Sequence, residues 1–177
     1  KYWSIMETAV NGINNQNEIR KEDIERDLEN NLKLSVKQQM LSDVPIGAFL
    51  SGGIDSSTIV ALMQSQSNRS IKTFTIGFSE NDHNEAQHAK KIANYLGTDH
   101  TEFYVSPKKA MQIIPKLPII YDEPFSDSSQ IPTFFVSELA SKNVKVALSG
   151  DGADELLCGY GRYISADSSS KKFDLIP

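Results

Sequence analysis

Ile46-Gly47-Ala48-Phe49-Leu50-Ser51-Gly52-Gly53-Ile54-Asp55-Ser56-Ser57 compresses three structural signals into one short segment. The apolar run from Ile46 to Leu50, bounded by turn residues, predicts a buried strand. Ser51-Gly52-Gly53 predicts the turn that follows. From Asp55 to Gln66, Ile59, Val60, Leu62 and Met63 recur at helical spacing. A strand, a glycine turn and a helix suit a pyrophosphate. Glycines let the backbone curl and turn successive N–H groups onto phosphate oxygens, and the helix adds its positive N-terminus. Ser51, Ser56 and Ser57 can donate hydroxyl hydrogen bonds. Asp55 alone would repel phosphate, so its presence points to Mg²⁺ between carboxylate and phosphate. The segment has neither the lysine and spacing of GxxxxGK[ST] nor the pattern of GxGxxG. A Gly-Gly turn that merely opens a helix is the bland alternative, and the full SGGxDSS word after an apolar run weighs against it.

Working outward, strands and helices alternate. Upstream, the Asn-rich stretch through about Arg20 has no clear period and reads as a linker. Ile24, Leu28, Leu32, Val36 and Met40 then mark an amphipathic helix from Lys21, ended by Asp43 and Pro45. Downstream come a strand from Ile71 to Phe78, a helix from His83 to Leu96 stopped by Gly97, and a strand from Thr101 to Val105. A helix from about Lys108 to just before Pro118, another from Ile131 to Lys142, and a strand from Val144 to Leu148 complete the series. Apolar strands alternating with helices predict an α/β fold, a parallel sheet covered on both faces.

The last strand ends in Leu148-Ser149-Gly150-Asp151-Gly152-Ala153-Asp154-Glu155, a second strand, Ser-Gly turn and acid-rich helix start. In open parallel sheets ligands bind beyond the carboxyl ends of the strands, so neighbouring strands would make the two turns face across one cleft. Acids also favour a helix's first turn on electrostatic grounds alone. Beside the first turn, however, Asp154 is the partner carboxylate that Asp55 needs to hold Mg²⁺.

The composition is that of a globular chain of 177 residues, 39% hydrophobic and 23% charged. A net charge of −5 argues against nucleic acid as the main partner. The single cysteine, Cys158, cannot form an internal disulfide, and no Cys/His cluster has zinc spacing. Without a signal peptide or a long apolar run, a cytoplasmic setting and no membrane partner are expected. The N-terminal Lys1 suggests a fragment of a longer polypeptide.

Several separated words together resemble the synthetase domain of glutamine-hydrolysing, B-type asparagine synthetases, in the ATP-pyrophosphatase superfamily. They are Asp43 to Ser57, Phe74 to Phe78, Ala93 to His100, Asp122-Glu123-Pro124-Phe125-Ser126-Asp127-Ser128-Ser129, and Leu148 to Glu155 with Gly159-Tyr160. The resemblance runs from about Trp3 to Tyr163. It implies a doubly wound parallel sheet in three α/β/α layers, adenine nucleotide alpha hydrolase-like. It also implies an interdomain linker over 1–20, a synthetase domain over 21–165 truncated at its C-terminus, and a flexible segment over 166–177.

The implied chemistry is adenylation of the aspartate side chain by MgATP with release of pyrophosphate. Ammonia then attacks the β-aspartyl-AMP to give asparagine and AMP. The same chemistry on another acid, a sugar carboxylate or a β-lactam precursor, is the alternative, as is a nucleotide-binding module without full activity. By motif matching, Ser51, Gly52, Gly53, Asp55, Ser56 and Ser57 would hold pyrophosphate, and Asp55 and Asp154 the Mg²⁺. Leu50, Ile76, Ser149 and Gly150 would line the adenine and ribose pocket, while Asp127 and Ser128 would face the amino-acid substrate. Asp151 stands where the family usually has Glu; its shorter carboxylate is assigned to positioning or deprotonating ammonia. The resemblance implies that the glutaminase half that supplies ammonia is not among these residues, and Cys158, assigned to packing, does not match its nucleophile. The family also continues past Pro177 with a catalytic lysine, so nucleotide binding rather than full turnover is expected of these residues alone. A homodimer stays open.

Overall fold

Four parallel strands carry the fold in this computed structural model, which describes residues 2–15, 20–78, 85–124, 126–163 and 165–166. They are β1 (Ile46–Phe49), β2 (Lys72–Phe78), β3 (Asp99–Val105) and β4 (Val146–Leu148), hydrogen-bonded in the order β3-β2-β1-β4. The chain steps outward from β1 to β2 to β3, then returns to the far side of β1. Ala48 lies opposite Thr73 on β2 and Leu148 on β4. This reversal is the doubly wound topology expected from the sequence.

Strand β2 shows why the sheet has two covered faces, because alternate side chains point opposite ways. Phe74 packs with Phe49, Val136, Leu139, Ala140 and Val144. Ile76 and Phe78 join Val105, Ile113 and Phe135. That face is covered by α5 (Pro107–Ile113) and α7 (Gln130–Ser141). Thr73, Thr75 and Gly77 alternate with these residues. A Cβ on Gly77 would lie 3.0 Å from the Cβ of Ala86, the first residue of α4 (Ala86–Leu96). Helix α4 buries only the small Ala86, Ala89 and Ala93, which suits a close approach to the sheet, and it packs beside α3 (Ile54–Ser65). The buried threonines satisfy their hydroxyls locally. Thr73 meets Thr98 and His100 Nδ1, each at 2.9 Å, and Thr75 donates to the Leu50 carbonyl.

Gly47 is the tight point of β1. A Cβ there would stand 2.7 Å from the Lys72 carbonyl oxygen and 2.9 Å from the Phe74 ring. The small residue lets the Phe74 ring fold over the strand.

The chain divides into two compact units, residues 1–35 and 36–177. The first holds α1 (Ile5–Asn14) and most of α2 (Lys21–Gln39), whose start is tied by Asp23 to Arg20 at 2.9 Å and to Arg26 at 2.7 Å. The second holds the sheet, the other helices and Val36, the one buried residue of α2. Among the described residues no helix is long and apolar enough to cross a membrane.

Some sequence expectations need correction. The stretch read as irregular linker contains α1: Met6, Val10 and Ile13 fall at helical spacing behind a Ser4 N-cap, a short period masked by the surrounding asparagines. Helix α2 stops at Gln39, before Asp43 and Pro45. Its apolar repeat leaves Ile24 and Leu28 exposed. Pro118 does not end the helical path. A 3₁₀ turn over Ile114–Lys116 leads into α6 (Leu117–Ile120), where Pro118 sits in the first turn and its missing N–H costs nothing. Gly97 closes α4 at φ +73° as expected, whereas the start at His83 lies outside the described residues, as does 167–177 of the expected flexible segment.

Candidate functional site

The reversal of strand order between β1 and β4 brings the two Ser-Gly turns side by side at the carboxyl end of the sheet. The first turn is held from both sides. Gly52 adopts φ +90°, and a Cβ there would meet the α4 backbone at Ala89 N, 3.0 Å away. The Ser51 hydroxyl accepts from Gly53 N–H at 3.2 Å and meets the Ser56 hydroxyl at 2.9 Å. Ser51 N–H donates to Ser56 Oγ at 3.2 Å, and the Ser57 hydroxyl donates to the Gly53 carbonyl at 2.6 Å. Ser56 is buried, so its hydroxyl shapes the turn from inside. Helix α3 has Gly53 at its N-cap and no side-chain cap, so no side chain competes there for its first-turn N–H groups.

The second turn presses directly on this helix start. A Cβ on Gly150 would stand 2.7 Å from Ser56 N and 2.8 Å from the Asp55 carbonyl carbon. The Ser149 hydroxyl donates to Asp151 Oδ2 at 3.0 Å, fixing that carboxylate at the rim. Helix α8 (Ala153–Leu157) follows, with Asp154 and Glu155 in its first turn.

Three basins lie along this end of the sheet. The central one, about 580 Å³, is lined by Ser51, Asp55, Ser56, Asp127, Gly150, Asp151, Asp154, Glu155 and Tyr160, with no Lys or Arg in its wall among the described residues. Beside it, a basin of about 420 Å³ is lined by Leu50, Phe74, Ile76, Thr133, Ser149 and Gly150 among others. Asp151 lines both. The third, about 880 Å³, is lined by Tyr121, Asp122, Glu123, Ser126, Asp127 and Ser128 and reaches the central basin at Asp127.

The sequence-selected residues therefore sort by place. Ser51, Asp55, Ser56, Asp151 and Asp154 share the central basin. Leu50, Ile76, Ser149 and Gly150 share the less polar one, and Ser128 lines only the third. Gly52 and Gly53 form the turn itself, and Ser57 lines none of the three basins. Cys158 is a correction: it is exposed at the end of α8 with φ +57°, where it closes the helix rather than packing in a core.

Sequence reasoning gave no role to Thr133 or Tyr160 and read Glu85 as structural, yet all three line these basins. Tyr160 carried a signal in the Gly159-Tyr160 pair. Thr133 carried none, because its place depends on how α7 lies across the sheet.

The electrostatics are dominated by acids. The Tyr160 hydroxyl donates to Glu155 Oε1 at 2.8 Å, holding that carboxyl below the usual range and pushing the phenol up. Ser129 N–H donates to Asp127 Oδ1 at 2.8 Å, which likewise holds Asp127 below the carboxylate range. Five carboxylates are spread around this basin, and among the described residues no three His, Cys, Asp or Glu stand together closely enough to hold a metal ion. A hydrated cation needs only one or two carboxylates, and Asp55 and Asp154 are the pair that the sequence selects for it.

A family model described as asparagine synthase matches residues 27–177. The chain is 45% identical over 143 residues to asparagine synthetase [glutamine-hydrolyzing] 1 of Bacillus subtilis, across 81% of this chain and 22% of that protein. It is 46% identical over 132 residues to the putative asparagine synthetase [glutamine-hydrolyzing] 2 of Methanocaldococcus jannaschii, across 74% of this chain and 25% of the relative. The chain thus spans about a quarter of the length of these relatives. Among solved structures, the NMN synthetase of Francisella tularensis superposes with a TM-score of 0.51 at 17% identity, over 81% of this chain and 59% of that one, a likeness of fold.

Proposed function

Because this chain belongs to the asparagine synthase family, we propose that the protein containing it activates a carboxylate with ATP, aspartate first among the acids, and amidates it. The observation that carries the reading is the junction of the two Ser-Gly turns between β1 and β4. It joins a backbone cradle, an acidic basin and a less polar pocket in one cleft.

In this reading the adenine and ribose lie against Leu50, Ile76, Ser149 and Gly150. The pyrophosphate lies on the α3 N-terminus and the Ser51–Ser57 turn, with Ser51 in the basin wall, while the Ser57 hydroxyl supports the turn through the Gly53 carbonyl. Ser56 acts mainly by shaping that turn, since its hydroxyl is used within it. Asp55 and Asp154 would hold Mg²⁺, which would supply neutralisation of the charge that builds on the departing pyrophosphate. Aspartate lies toward Asp127 and Ser128. Its side-chain carboxylate oxygen attacks the α-phosphorus, the bond to the bridging oxygen breaks, and pyrophosphate leaves. Ammonia then attacks the activated acyl carbon, the bond to the AMP oxygen breaks, and Asp151 receives the proton that nitrogen loses. Its position in the lining of both the acidic and the less polar basin supports this role. Ammonia would come from the glutamine-hydrolysing portion that the relatives' names record, with residues 1–20 as the connection to it and 21–165 as synthetase domain. A cytoplasmic setting fits the single free cysteine.

The test is ATP–pyrophosphate exchange by the full-length protein. Exchange that requires aspartate is expected, with Asp55→Asn reducing it at least tenfold as an order-of-magnitude effect of removing a cation-binding charge. Exchange supported by a different acid and not by aspartate would replace the substrate, and no nucleotide binding would sink the reading.

A further inference from the structure

The ladder between β1 and β2 ends one rung short. The Leu50 N–H donates to the Phe74 carbonyl at 3.0 Å, which closes the register of Phe49 against Phe74. In a parallel pair the next rung would run from the Ile76 N–H back to the Leu50 carbonyl. Among the described residues that rung is not made: the pairing stops at Phe49, and the Leu50 carbonyl accepts from the Thr75 hydroxyl. Thr73, on the same face of β2, makes the contrast. Its hydroxyl meets Thr98 and His100 Nδ1, each at 2.9 Å, and the ladder runs on past it with Ala48 opposite. Both threonines are buried, so each hydroxyl must find its partner within the protein.

The substitution of a hydroxyl for a backbone donor has two local consequences. Thr75 shares its face of β2 with Gly77, the face under α4, so its hydroxyl draws the Leu50 carbonyl toward that side. The following turn goes the same way, with Gly52 close against the α4 backbone at Ala89. The Ile76 N–H keeps its direction toward β1, where the partner strand has already turned away. Its neighbours Thr75 and Gly77 present their amides to β3 instead. Leu50, Thr75 and Ile76 all line the less polar basin of about 420 Å³.

We infer that Thr75 is a positioning residue: its hydroxyl takes the Leu50 carbonyl in place of the Ile76 N–H, ends the ladder early, and leaves that N–H to a nucleotide base in the less polar basin. The inference rests on the adenylation reading for the identity of the ligand, and on the sheet alone for the missing rung. A valine would fill the same space in the strand, and the carbonyl and the Ile76 N–H would then satisfy each other.

The test uses the full-length protein and two measurements. Without nucleotide, the Ile76 amide should exchange with deuterium about tenfold faster than the amides of Thr75 and Gly77, an order-of-magnitude difference for an N–H outside the ladder. Thr75→Val keeps the branched shape and removes the donor, so exchange at Ile76 should slow to the level of its neighbours. In ATP–pyrophosphate exchange the same variant should raise KM for ATP about tenfold, the scale of one hydrogen bond, with kcat within about twofold of the parent. Thr75→Ser keeps the hydroxyl and should restore both values. A threonine that merely fills the sheet would lower the melting temperature of the valine variant and move neither. Equal protection of Ile76, Thr75 and Gly77 in the parent protein would overturn the inference, and that measurement needs no variant to fold. An unchanged KM in Thr75→Val, or a serine variant as impaired as the valine one, would overturn it too. If no carboxylate supports exchange, the adenylation reading fails, and the Ile76 amide still decides what Thr75 does to the ladder.

Discussion

A methyl group on Gly150 would stand 2.7 Å from the Ser56 amide nitrogen, an atom fixed in the first turn of α3. Neither backbone can yield without spreading the two turns that form the cleft. Gly150→Ala is therefore expected to weaken nucleotide binding by about a hundredfold, the scale of an ångström-sized misplacement. Calorimetric titration with MgATP measures it, and binding within twofold of the parent would contradict the contact. Gly159 is a different case. There a Cβ would fall 1.9 Å from Asp154 Oδ1, the movable end of a side chain. Gly159→Ala should leave the fold intact and swing the Asp154 carboxylate away, raising the Mg²⁺ needed for half-maximal exchange with ATP affinity at saturating Mg²⁺ unchanged. At this scale the acids and glycines of both turns were legible, because their words are compact. The inward use of Ser56 was not, since a hydroxyl shared with Ser51 depends on the path of the turn between them.

Among the elements, β2 bears the largest share of the packing. Phe74 is 1% exposed and joins β1 to α7 through Phe49, Val136, Leu139 and Ala140. Phe74→Ala should cost about 3–5 kcal/mol of unfolding free energy, the range for deleting a buried aromatic ring. Urea denaturation of the full-length protein, followed on this domain's transition, provides the measurement. Strand and helix order was readable because apolar runs and helical spacing alternate cleanly from Ile46 onward. The misread elements share one cause. In α1 and around Pro118 local composition, asparagine-rich or proline-bearing, hid turns of helix that a cap and a first-turn position permit.

For the whole molecule, acid sensitivity should begin close to neutrality. His100 is half-buried at the start of β3, with Nδ1 against Thr73 and Nε2 buried without a hydrogen-bond partner, and burial holds its pKa below the usual imidazole value of 6.5. The unfolded chain then binds the proton more readily, so this stability is fully present above 6.5 and is lost as pH falls through the folded value. His100→Asn should flatten the fall in melting temperature just below pH 6.5, while the steeper loss lower down persists. Part of that lower loss belongs to Glu102, which Lys90 at 2.8 Å holds below the ordinary carboxylate range. An identical pH dependence in the variant would remove His100 as the cause. At this scale the sequence supplied a condition: the two turns meet if their strands are neighbours. Only the pairing of β1 with β4 meets it, and that pairing joins residues about a hundred positions apart, beyond the reach of local pattern.

The placement of β4 gives the cleft a birth date. β4 has three residues and pairs, among the described strands, only with β1, yet its turn supplies one wall of the cleft. During synthesis the β1, β2 and β3 ladder can form first, with the first turn complete and its opposite wall still untranslated. Ligand gripped by both turns would then act as a late fastener, and amide hydrogen exchange across Val146–Leu148 should slow on adding MgATP more than exchange in β2.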